Sequence, residues 1–155
     1  MQPSTGITLW DNLPSQLSWS DKVALLTYRF MQREQEETGL HHLFQDDLYI
    51  REVRIPAGTL IVGRIHKIGH EMELLKGQVI LIGPDGFSHG VQAPEKVHTG
   101  PGFQMVCFTL SDVIARTIHP NADQKRDIAE LEAEFFEDPA KLIERGEQIE
   151  RKLLT

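Results

Sequence analysis

Between residues 49 and 119 a turn former recurs about every ten residues, which leaves room only for short strands. The breaks fall at Pro56-Ala57-Gly58, Gly63, Gly69, Gly77, Gly83-Pro84-Asp85-Gly86, Gly90, Pro94 and Gly100-Pro101-Gly102. The runs between them are LYIREVRI, TLIVGRIH, EMELL, QVILI, GVQA, FQMVCFTL and VIARTIH. They are rich in β-branched and large apolar residues, and several alternate apolar with polar. A chain cut this way builds many short antiparallel strands, stacked as a sandwich or closed as a barrel. Pro84-Asp85-Gly86 has the composition of a hairpin turn.

The flanks have a different period. Residues 1–48 read as a helical or irregular extension, 49–120 as the β domain, and 121–155 as acidic C-terminal helices. In the first zone Ser20 is the expected N-cap of DKVALLTYRFMQREQEE, with Asp21 in the first turn and Gly39 after the end. Val23, Leu26 and Phe30 form one apolar stripe at helical spacing. In the third zone Ile128, Leu131 and Phe135 share a face, and Pro139 opens a second helix. Residues 121–155 carry ten acids against six bases, which places −4 of the net −7 there. A mixed charge run of this kind reads as a solvated helix face.

That charge bounds the partners. With 16 basic and 23 acidic residues the chain has no basic excess to neutralise phosphates or anionic lipid, so neither nucleic acid nor a membrane is expected as a partner. No apolar run approaches the roughly 20 residues of a membrane span. The opening MQPSTGITLWDNLPS lacks the basic and apolar stretches of a signal peptide, so an internal location is expected. A single cysteine, Cys107, rules out an intrachain disulfide and a multi-cysteine zinc site. It reads as a small buried apolar residue. No nucleophile elbow and no phosphate loop is present.

The block from Arg54 to Pro120 resembles a cupin. The first cupin motif is matched by GRIHKIGHEMELLKG. With Gly77 as its closing glycine, His70 falls at the family's glutamate position, His66 at the second histidine, and Arg64 at the first. The second motif is matched by TGPGFQMVCF, with Gly102 at the motif glycine, Gly100 at the proline position and Met105 at the histidine position. Two of four metal-ligand positions therefore hold histidine. The resemblance implies a mostly β fold: a single cupin-type antiparallel β-barrel (jelly roll) with an N-terminal helix and a C-terminal helical tail.

IPAGTLIVGRIHKIGHEMELLKGQVIL and VQAPEKVHTGPGFQMVCFTLSDVIARTIHPN further resemble small cupin-like proteins of tailed phages and prophages. That group shares the PAGTLIVG-type strand, the strand end in Thr-x-His-Pro and an acidic helical tail, matched here by DIAELEAEFFED. The resemblance implies a phage or prophage origin and a place in the host cytoplasm or the virion, and it brings no assigned reaction.

On that frame His66 and His70 would aim into the barrel as ligands of a divalent transition metal (Zn, Fe, Mn, Ni or Cu). A third ligand is needed, for which His119 is the first candidate, with His98 and Glu52 as others. Met105 and Cys107 share one face of their strand and would be soft ligands. Arg64, inward beside two histidines, is expected either to pair with Glu52 or Glu73 or to clamp a carboxylate or phosphate. The ligand-binding set is thus Arg64, His66, His70, Glu52 and Met105, and the metal set His66, His70 and His119. His89 and His98 are expected in exposed loops, and His41-His42 ahead of the β domain.

Three functions follow. The first is a cupin-like protein that binds a metal ion or small anionic ligand in its barrel without turnover. The second is a phage structural or host-interaction protein that uses the barrel as scaffold. The third is a metal-dependent cupin enzyme of isomerase or oxygenase type. Homo-oligomerisation through sheet edges is expected of all three.

Overall fold

The computed structural model describes residues 3–32, 39–85 and 88–155. Its elements run α1 (Pro3–Asp11), α2 (Trp19–Met31), β1 (His41–Gln45), β2 (Leu48–Ile55), β3 (Leu60–Val62), β4 (His70–Lys76), β5 (Gln78–Ile82), β6 (Ser88–Gln92), β7 (Glu95–Thr99), β8 (Val106–Thr109), β9 (Val113–Pro120), α3 (Ile128–Phe135) and α4 (Ala140–Leu153).

The strands form two antiparallel sheets, ordered β1-β2-β9-β4-β7 and β3-β8-β5-β6. With β1 set aside as an addition at one edge, the remaining eight strands, β2-β9-β4-β7 facing β3-β8-β5-β6, follow the two-Greek-key order of a jelly roll. The mostly β jelly roll with flanking helices is therefore the fold. The expected barrel closure is not made by hydrogen bonds, since no ladder joins the two sheets among the described residues. The sheets instead face each other across Ile55, Val79 and Val113, packed with Val53, Ile61 and Leu74.

Several local expectations are corrected. Strand structure begins at His41, inside the stretch read as helical or irregular, and β7 occupies a segment read as loop. His41 and His42 therefore lie on β1, His89 on β6 and His98 on β7. Only Leu60–Val62 of the run TLIVGRIH is ladder strand. Ser18, not Ser20, caps α2, with its hydroxyl accepting from the Asp21 amide at 3.1 Å. The helix starts two residues early because Trp19 extends the Val23 stripe and donates its indole N–H to the Ile82 carbonyl at 3.2 Å. Residues 33–37 of the expected helix, and Gly86 of the expected turn, lie outside the described residues.

The helices are not a free tail. α4 lies along α2, and Gly146 meets the Ala24 carbonyl and the Tyr28 Cβ so closely that a side chain has no room. Arg29–Glu150 and Arg145–Asp21 ion pairs, both at 2.7 Å, flank the crossing. Asp127 caps α3, as its side chain accepts from the Glu130 amide. The apolar face of α3 then inserts Leu131 and Phe135 against Tyr49, and all three are buried.

Candidate functional site

Between the sheets lies a cavity of about 520 Å³, within the range of small-molecule sites. Ile55, Leu74, Val79, Leu81, Met105 and Cys107 contribute to its apolar wall. Alternation puts them there. Phe103, Met105, Cys107 and Thr109 are spaced by two and all line it, as do Arg51, Val53 and Ile55 on β2. Burial pushes the Cys107 thiol up to about 12, so it is an apolar wall residue and not a nucleophile.

One end of this space is polar. Arg51, Arg64, His66 and Thr117 line it together with the rings of Phe103 and Phe136. The segment after β3 stays extended because the Gly63 and His66 amides donate to the Met105 and Phe103 carbonyls at 2.7 and 2.9 Å. This holds Arg64 and His66 at the wall. The chain leaving α3 closes that end: the Lys67 amide donates to the Phe135 carbonyl at 2.8 Å, and the Glu137 amide to the Ile65 carbonyl at 2.9 Å. Phe136 thereby lies against two guanidinium groups, its ring centroid 4.8 Å from that of Arg51 and 4.7 Å from that of Arg64.

Arg64 does not pair with Glu52 or Glu73. Its Nη1 bonds Glu132 of α3 at 2.7 Å, and Arg51 lies 3.8 Å from the other oxygen of the same carboxylate. Glu52 is on the opposite face of β2, where it holds Arg116 at 2.9 Å, so it is removed from the ligand set. Met105 lines the cavity.

The three expected histidines do meet, and all are buried. His66 and His70 stack with centroids 3.7 Å apart and planes at 12°, while His119 lies 5.7 Å from His66 and 5.2 Å from His70. Only His66 reaches the cavity. His70 bonds the Thr99 hydroxyl through Nδ1 at 3.0 Å, and His119 Nε2 bonds that of Thr117 at 3.0 Å. Burial holds His66 and His119 down at about 3, reinforced by the neighbouring imidazoles and Arg51. Burial also lowers His70, against a backbone hydrogen bond to Ile68 that raises it. All three are neutral at pH 7.

A shared metal needs the in-plane nitrogen lone pairs to converge on one point. Rings stacked face to face aim those lone pairs along parallel planes, and two of the rings are engaged by threonines. Among the described residues no three His, Cys, Asp or Glu side chains are arranged to hold a metal ion. The cluster as it stands does not fit a metal centre.

Sequence reasoning missed Arg51, Glu132 and Phe136. Arg51 was within reach, because in LYIREVRI it alternates with Tyr49, Val53 and Ile55 on one face. The other two are brought in only by the docking of α3.

The strand order and the cavity define this chain as a jelly-roll protein with space for a ligand between its sheets. No family model matches the sequence, and no curated protein matches it. Among solved structures it is similar to a cupin-2 domain protein from Shewanella frigidimarina (12% identity over 61% of this chain and 91% of that one, TM-score 0.45). It is also similar to an RmlC-like cupin with a double-stranded β-helix fold from Methanocaldococcus jannaschii (13%, 59% and 87%, 0.46). A third is the acetylacetone dioxygenase of Acinetobacter johnsonii (16%, 61% and 74%, 0.45). These are likenesses of fold, and the jelly-roll assignment is carried by the strand order alone. No helix among the described residues is long and apolar enough to cross a membrane.

Proposed function

We propose that this protein binds a small molecule in the cavity between its sheets, without turning it over. The observation that carries the reading is a space of about 520 Å³ with a largely apolar wall and with Arg51, Arg64 and His66 together at one end. Such a space favours an apolar body and orients it by a few polar contacts. The test is titration with the environment-sensitive dye anilinonaphthalene sulfonate. One equivalent is expected to bind the native chain, and Met105→Trp, which fills the cavity, is expected to abolish binding with the far-UV spectrum unchanged. Undiminished binding by the variant would place the dye elsewhere and overturn the reading.

A transition metal is the second reading, supported by the meeting of three neutral imidazoles. It requires the stacked rings to turn until their nitrogens converge. Elemental analysis of protein purified without chelator, beside a His66→Ala, His70→Ala variant, decides it: near-stoichiometric metal lost in the variant would establish the centre. The phage setting, a host or virion partner, and pairing of copies through sheet edges rest on the sequence resemblance. Pull-down from infected cells and light scattering test them.

A further inference from the structure

From the polar end of the cavity we infer that the ligand is a carboxylate with an apolar body, its carboxylate seated on Arg51 and Arg64. This rests on the cavity being a small-molecule site and adds the chemical class. Two buried atoms at that end, Arg64 Nε and His66 Nδ1, have no hydrogen-bond partner among the described residues. Buried donors left unpaired are costly. Arg64 Nε–H can only donate, so the group that satisfies it is an acceptor. Both residues line the cavity.

Charge selects the acceptor. Arg51 and Arg64 contribute two positive charges and Glu132 one negative, at 3.8 and 2.7 Å, while His66 is neutral. The end is therefore one positive charge in excess, which suits a monoanion better than a dianionic phosphate. Glu132 already bonds Arg64 at 2.7 Å and lies at ion-pair distance, 3.8 Å, from Arg51, so both guanidinium groups face a carboxylate at this end. By strand register the opposite end of the cavity carries Glu95, which lies across from Leu74 while Thr99 lies across from His70. That acid disfavours a carboxylate bound the other way round. The apolar wall between the two ends takes the body.

The experiment is calorimetric titration of the full chain with decanoate, decanol and decyltrimethylammonium, which share an apolar body and differ in head group. Decanoate is expected to bind at least tenfold more tightly than either of the others. Arg64→Gln should reduce decanoate at least tenfold and bring it to the level of decanol measured on the same variant. Glu132→Gln, which removes the internal carboxylate, should tighten decanoate several-fold relative to decanol on the same variant. Each variant carries its own control in decanol, and the head-group comparison in the unaltered protein needs no variant. Equal binding of decanoate and decanol would overturn the carboxylate assignment and leave the cavity reading standing. Binding of none of the three would overturn both.

Discussion

His66 and His119 couple folding to pH. Each titrates at about 3 when folded, against roughly 6.5 in an unfolded chain. Because the folded value is the lower one, the unfolded chain takes up protons first, and stability falls as pH drops below about 6.5 and keeps falling toward 3. Between pH 7 and pH 5 the two together should cost the fold about 4 kcal/mol. Urea unfolding at both pH values, with chelator present, measures it. His119→Phe should remove about half the loss; an unchanged pH dependence would mean that the imidazole is not held neutral. Cys107 offers a second check at this scale. With its thiol held up near 12 by burial, it should resist a disulfide reagent in the native protein at pH 8 and react at once in denaturant.

Among the elements, α2 shows how packing chooses between equal local signals. Ser18 and Ser20 are both good caps, and propensity does not separate them. The seat of Trp19 against Ile82 does. Ser18→Ala should cost about 1 kcal/mol and Ser20→Ala almost nothing, by thermal or chemical unfolding. Gly77 joins β4 to β5 at φ +96°, with the Asp112 carbonyl and Val113 Cγ2 where a side chain would go. Gly77→Ala should lower stability by at least about 1–2 kcal/mol from the backbone alone. The two strands that sequence patterning missed share one trait. β1 (HHLFQ) and β7 (EKVHT) are edge strands whose residues are mostly exposed, so neither needs the apolar alternation that marks a buried strand.

Across the whole molecule, the C-terminal helices complete the β domain. Leu131, Phe135 and Phe136 are buried against Tyr49, and each contributes roughly 1.5–3 kcal/mol. That sum is comparable with the ~5–15 kcal/mol that holds a domain folded. Removal of residues after Asn121 should therefore abolish the cooperative thermal transition, with loss of near-UV signal, rather than remove a partner site from an intact fold. A truncated chain that melts as sharply as the full one would refute this.

The sequence by itself determined the strand zone, the runs that became β2, β5 and β9, and the helical faces of α2 and α3. These follow from periods of two and 3.6 residues, which state the side of its own element on which a residue falls. Only the tertiary structure decided what lies across from that side. Arg64 finds Glu132, 68 positions away, because α3 docks over the end of the sheets. The three histidines meet ring to ring, with hydroxyl partners for two of them, because burial and aromatic packing set their rotamers. Periodicity carries no information about which distant element will cover a given face, and that choice settled which residues form the polar end of the cavity.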